Sequence, residues 1–200
     1  MKGFVHPDPI PKNLFHPQFC FQILHPRYVK LDFEALMSSK DFLRRWSQSE
    51  WPTDDFSLQE NLSDLEWHYD EQVNKIAFTY TILDHSQSTC LGCLYIKPVS
   101  SIKNLQPQEE KLLMPFSHFC SHWVTDRIRG TDLNQKIFSA MIDWLITDWQ
   151  FPGIFFTSNS GIPEMEELYK KSGLVLFLER EQPNRYQHYW KYRQGLKNGF

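Results

Sequence analysis

Residues 123–134 read WVTDRIRGTDLN, and their types and spacing suit an anion cradle. An apolar run ends in Val124, an Arg129-Gly130 step follows, and a helical pattern begins near Leu133. A helix start offers backbone N–H groups and the positive end of the helix dipole, so phosphate is the natural ligand of such a turn. Gly130 supplies the backbone freedom a cradling loop needs, and Asn134 tolerates left-handed geometry better than most residues. Asp132 works against both. It is a strong N-cap candidate with Gln135 three positions on as a capping partner. Its carboxylate also opposes a diphosphate, since two unit charges about 5 Å apart cost roughly 3 kcal/mol at an effective dielectric near 20. Arg127 and Arg129 can offset that cost if they turn toward the anion. The residues alone leave a phosphate cradle and a plainly capped helix both open.

Three further constellations carry potential chemistry. His118 and His122 are four apart and share a face if their segment is a strand. An imidazole suits proton abstraction from an amine near neutral pH, and a buried structural histidine is the competing reading for each. In RRWSQSEWPTDDFS (44–57), Trp46, Trp51, Asp54 and Asp55 could line a pocket for a cationic amine, or the Trp residues could be core and the Asp pair solvated. Cys90-Leu-Gly-Cys93 has the spacing of a zinc or redox pair. Zinc would want a second pair, a redox pair should open a helix, and an odd offset in a strand sends the two thiols to opposite faces. No metal is expected.

The elements that position these residues follow from periodicity. QFCFQILH (18–25) is short and β-prone, and residues 31–39 and 40–46 have apolar residues at helical spacing. Ser57 with Glu60 is a capping-box pattern that opens a helix running to about Gln72, with Leu58, Leu62, Leu65 and Tyr69 along one face. KIAFTYTILD (75–84) and TCLGCLYIKP (89–98) read as a hairpin joined by HSQS. Residues 99–115, with two prolines, read as an irregular excursion, and SHFCSHWVT (117–125) as a strand. Leu133, Ile137, Met141, Trp144 and Leu145 form a helical stripe that Pro152-Gly153 ends. GIFFTS (153–158) is a strand, IPEMEELYKKSG (162–173) a helix capped by Gly173, and residues 174–181 and 185–193 are two closing strands. The order β-α-α-β-β-β-α-β-α-β-β defines one α/β (α+β) domain with a mixed sheet, whose strand-helix-strand over 117–158 is parallel and right-handed.

The whole chain fits that reading. Its 200 residues are 41% hydrophobic and 16% aromatic, enough for one filled core. A net charge of −3 gives no global attraction to nucleic acid or an anionic membrane, and the basic, aromatic HYWKYR is too short to change that. The proline-broken N-terminus lacks a signal-peptide core, no run is long enough to span a membrane, and four cysteines within apolar segments suit a reducing compartment. A cytoplasmic protein is expected.

From Val124 onward the chain resembles the GCN5-related N-acetyltransferase (GNAT) superfamily. Arg129, Gly130, Thr131, Asp132, Leu133 and Asn134 fall on that family's Arg/Gln-x-x-Gly-x-Gly/Ala turn, with Asp132 and Asn134 at the two glycine positions. Leu168, Tyr169, Gly173 and Leu174 fall on its Leu-Tyr-x-x-x-Gly-Phe. The element order matches over residues 18–193, leaving 1–17 as a proline-rich lead and 194–200 as a tail. The resemblance implies a GNAT-like domain with a mixed central sheet of about six to seven strands and about four flanking helices. It implies transfer of an acetyl group from acetyl-CoA to a primary amine of a small molecule or peptide by direct attack, with no metal; a homodimer is compatible with it.

The site residues carry over by position. Arg129, Gly130, Thr131, Leu133 and Asn134 would hold the pyrophosphate, and the TSNSG loop would supply Asn159 or Ser160 to the cofactor in place of the family's asparagine. Backbone groups of Trp123, Val124 and Thr125 would hold the thioester carbonyl. Tyr169 would protonate the departing thiolate, His122 would act as base, and Trp51 and Asp55 would bind the acceptor. Asp132, together with Ile162 and Met165 where the family usually has asparagine and a small residue, supports the rival reading of a catalytically degenerate member that works as a ligand-binding or interaction module.

Overall fold

In the computed structural model, residues 5–183 and 185–192 are described; Arg193 and the expected tail lie outside them. Eight strands form one sheet in the order β1-β2-β3-β4-β5-β6-β8-β7. They are β1 (Asn13–His16), β2 (Phe19–Ile23), β3 (Phe78–Asp84), β4 (Cys90–Pro98), β5 (His118–Val124), β6 (Phe155–Ser158), β7 (Leu174–Gln182) and β8 (Arg185–Tyr192). Six α-helices accompany them: α1 (Val29–Ser38), α2 (Lys40–Ser47), α3 (Leu58–Val73), α4 (Pro107–Leu113), α5 (Asp132–Thr147) and α6 (Pro163–Lys171). By packing, the chain divides into two compact units, one of residues 12–96 and 122–134, the other of residues 1–11, 97–121 and 135–200.

The first unit is an antiparallel meander, with β1 on β2, β2 on β3 and β3 on β4. Strand β1 lies within the segment expected to be a strand-free lead: Pro17 sits in the turn, so it removes no ladder bond. Helix α3 opens on the expected capping box, with Glu60 N–H donating to Ser57 Oγ at 3.2 Å and Ser57 N–H donating to Glu60 Oε2 at 2.7 Å. Its inward face differs from the expected one. Leu65 is buried with Asn61 and Gln72, whereas Leu58 is 40% exposed. The reason is a polar patch beneath, described below.

In the second unit β6 pairs with β8 along its length and with β5 in parallel at Cys120 opposite Phe156, as the strand-helix-strand reading expected. The 99–115 excursion contains α4. Pro107 sits at its first position, where a missing N–H costs nothing, and Gln106 N–H donates to Glu109 Oε2 at 2.8 Å. Arg180 ties this excursion to β7: it is 4% exposed, ion-paired to Glu109 at 3.1 Å, and donates to the carbonyls of Lys103 and Asn104. Phe155 packs with Val99, Leu113 and Tyr189 on one face of β6, and Phe156 with Phe138 of α5 on the other.

Candidate functional site

The turn between β5 and α5 is built by a close strand approach. A Cβ on Gly92, at φ +153°, would lie 2.1 Å from the Trp123 carbonyl oxygen, so only glycine lets β4 come this near β5. Thr125 N–H donates to Leu91 O at 2.9 Å, which commits it to β4. Successive strand amides point to alternate edges, so the Val124 N–H points away from β4. Of the three residues expected to hold a carbonyl, the amide of Val124 is therefore the one oriented to donate, and that of Thr125 is spent.

Beyond Thr125 the chain folds into a tight turn, with Ile128 and Arg129 N–H groups donating to Thr125 O. Asp126 N–H donates to Ser39 Oγ at 3.0 Å, anchoring the turn to the junction of α1 and α2. Gly130 has φ +76° and open space where a Cβ would project. The cap of α5 is Thr131, whose Oγ1 donates to Ile128 O at 2.6 Å and accepts from Asn134 N at 3.4 Å. The expected Asp132–Gln135 capping pair is not formed: Asp132 is the first helical residue, and Gln135 Nε2 donates to Ser172 Oγ instead. The helix starts one residue earlier than expected, so the cap falls on Thr131.

These residues fit a diphosphate through backbone more than side chain. Gly130, Thr131 and Asp132 are exposed, and the first-turn N–H groups of a helix have no intrahelical partners. Arg129 is not aimed outward. Its guanidinium pairs with Asp126 at 2.7 Å and lies 3.9 Å over the Phe42 ring. Asn134 is 6% exposed, with an Oδ1 that has no hydrogen-bond partner, so its side chain points inward. Arg127 is exposed and, with Glu34, Ser38, Thr89, Cys90 and Thr125, lines a cleft of about 260 Å³.

His118 and His122 are each 1% exposed, and burial pushes both imidazoles down to about 3. The expectation that His122 is the base is corrected on that ground, since a group so weakly basic takes no proton from an amine at neutral pH. In the second unit Tyr169 is fully buried, its ring stacked on Phe138 at 5.0 Å and its hydroxyl donating to Thr157 O at 3.2 Å. Burial, and then Cys120, push that phenol well above its ordinary range, so it stays protonated. Ser160 is exposed in the β6–α6 loop beside an Asn159 side chain that accepts from Gly161 N.

Neither of the expected acceptor residues, Trp51 and Asp55, lines the cleft beside Arg127. Trp51 packs edge-on against Phe56 at 6.0 Å, and Asp55 is exposed. Its neighbour Asp54 binds Lys40 at 2.7 Å and Arg44 at 2.9 Å. A different cluster forms between α2, α3 and β4. The Tyr95 ring lies 6.0 Å from Trp46 and 5.4 Å from His68, and its hydroxyl accepts from Trp123 Nε1 at 3.1 Å. His68 Nδ1 is 3.3 Å from Glu71 Oε2 and 3.4 Å from Thr79 Oγ1. Deeper on this face Asp32, 3% exposed, accepts from Asn61 Nδ2 at 3.0 Å and Cys93 Sγ at 3.6 Å; burial raises its carboxyl to about 6. Sequence reasoning missed this cluster, although the i, i+3 spacing of His68 and Glu71 and the shared strand face of Cys93 and Tyr95 are its signal.

No protein-family model and no curated protein matches the sequence. Solved structures do match its fold. The ribosomal-protein-S5-alanine acetyltransferase of Vibrio fischeri superposes with a TM-score of 0.69 at 11% identity, over 93% of this chain and 98% of that one. RimL, a ribosomal L7/L12 α-N-protein acetyltransferase in complex with coenzyme A, gives 0.67 at 10% identity, over 88% and 94%. A GNAT-family acetyltransferase of Bordetella pertussis gives 0.66 at 10%, over 92% and 100%. Over about nine-tenths of its length the chain has the fold of the GCN5-related N-acetyltransferases.

Proposed function

We propose that this chain is an acetyl-CoA-dependent N-acetyltransferase whose acceptor is the α-amino group of a protein or peptide. The observation that carries the reading is the open turn at Gly130–Asp132, which leads into α5 directly after the buried strand end that carries the Val124 amide. The acceptor class is taken from a fold neighbour, the ribosomal L7/L12 α-N-protein acetyltransferase. Acetyl-CoA supplies an activated acyl group. The Gly130 turn and the first-turn amides of α5 hold its diphosphate, with Arg129 stiffening the turn through Asp126. The Val124 N–H donates to the thioester carbonyl as charge develops there. Tyr169 is assigned the proton for the departing thiolate from the sequence motif alone, since a phenol is protonated at neutral pH and a thiolate is basic enough to take its proton.

Asp132 favours a second reading, a GNAT-fold protein that binds a ligand or partner without catalysis, because its carboxylate sits at the anion position. A thiol-release assay separates the two. With acetyl-CoA and a peptide bearing a free N-terminal serine, thiol should appear at a rate that vanishes when the same peptide is N-terminally blocked. Release that ignores the block, or none from any free-amine peptide, contradicts the transferase reading.

A further inference from the structure

We propose that His68, paired with Glu71, is the base that takes the proton from the acceptor amine, at a site walled by Tyr95 and Trp46. This rests on the acetyltransferase reading above and names the group it leaves open. Three buried groups of this unit cannot serve as that base. His122 on β5 is sealed and pushed down to about 3 by burial. Asp32 is 3% exposed beneath Asn61 and Cys93, and no amine reaches it. Tyr95 is pushed well above the phenol range by burial, so it holds its own proton. His68 differs from all three. Its side chain is 12% exposed and that of Glu71 15%, partly covered but open to an incoming group.

The geometry then orients it. A carboxylate 3.3 Å from Nδ1 favours the tautomer with the proton on Nδ1 and the lone pair on Nε2, and it stabilises the imidazolium that forms. The ring lies 5.4 Å from Tyr95, and Trp46 lies 6.0 Å from the same Tyr95 ring. Aromatic faces beside a carboxylate attract an ammonium. The Tyr95 hydroxyl bonded to Trp123 Nε1 continues this wall to the end of β5, where the Val124 amide is assigned to the acyl carbonyl. Of the two protons an ammonium sheds on acylation, one passes through His68 to solvent and the other ends on the thiol. The freed lone pair forms the N–C bond as the C–S bond breaks.

The test uses the full chain, acetyl-CoA and the free N-terminal serine peptide. His68→Ala should lower kcat/KM about 100-fold, within the range of general-base losses, with acetyl-CoA affinity by calorimetry unchanged. Added imidazole should restore part of that activity, which a purely structural histidine would not allow. Glu71→Gln should lower kcat by about tenfold and Trp46→Leu should mainly raise KM, each with a thermal midpoint near wild type. Unchanged turnover in a folded His68→Ala variant overturns the proposal, as does a loss that imidazole leaves unrestored. Wild type that binds acetyl-CoA but acetylates no free-amine peptide overturns it too. Wild type that binds no acetyl-CoA removes the acetyltransferase reading itself, a distinct outcome.

Discussion

Asp132 places an exposed carboxylate at the first residue of α5, where two glycines' worth of backbone freedom would ordinarily serve an anion. Because it is exposed, solvent and salt screen it, and its opposition is smaller than two charges in a closed site would give. Asp132→Gly should tighten acetyl-CoA binding by about tenfold at low salt, with the gain shrinking as salt rises. Equal affinity at every salt concentration, measured by calorimetry, would make the residue irrelevant to the ligand. Tyr169→Phe should lower kcat with acetyl-CoA affinity unchanged, and should cost about 1 kcal/mol of stability through the lost bond to the Thr157 carbonyl. A variant with full kcat would confine Tyr169 to packing. At this scale the Arg129-Gly130 turn was legible because a turn is encoded by neighbours in sequence. The fate of His122 was not. Alternation shows which face of a strand a residue shares, but not whether both faces are covered, and here burial decides the chemistry.

Helix α3 shows how far an element can be read from local pattern. Its capping box is sequence-local and appears as expected, yet its buried face includes Asn61 and Gln72 because it meets polar partners, Asp32 on α1 and Thr79 on β3, as well as apolar ones. Strand β1 and helix α4 escaped because their prolines look like breakers. Pro17 lies in a turn and Pro107 at a helix start, the two places where the ring removes no needed bond. Gly92 was equally silent, since its role depends on a strand distant in sequence. Gly92→Ala should destabilise the fold by more than about 3 kcal/mol, because the new Cβ meets backbone on β5 rather than a side chain that can move. A denaturant midpoint equal to wild type would contradict the close approach.

For the molecule as a whole, buried ionisable groups set how stability follows pH. Asp32 is raised from 3.8 to about 6, so its contribution is complete below the lower value and is lost as pH rises through the upper one. His118 and His122 are lowered from 6.5 to about 3, so their contributions are present above 6.5 and are lost as pH falls. The two histidines outweigh the one carboxylate, and acid should destabilise the wild-type chain below about pH 6.5. Asp32→Asn should raise stability at neutral pH by about 3 kcal/mol and make the acid loss steeper between about pH 6 and 4. A pH profile parallel to wild type would show that Asp32 is not buried as described.

The fold itself was legible because the order of elements follows from local periodicity and turn residues, and it matches its structural neighbours at only 10–11% identity. The cluster proposed to meet the acceptor was not, since His68, Tyr95 and Trp123 come from three separate elements. The central claim is that the turn opening α5 binds acetyl-CoA, and calorimetric titration with that ligand tests it most directly. The account predicts a saturable, single-site heat that is abolished when Gly130 is replaced by a bulky residue such as Val. Absence of any heat up to about 1 mM ligand, where binding is worth only about 4 kcal/mol, would contradict it.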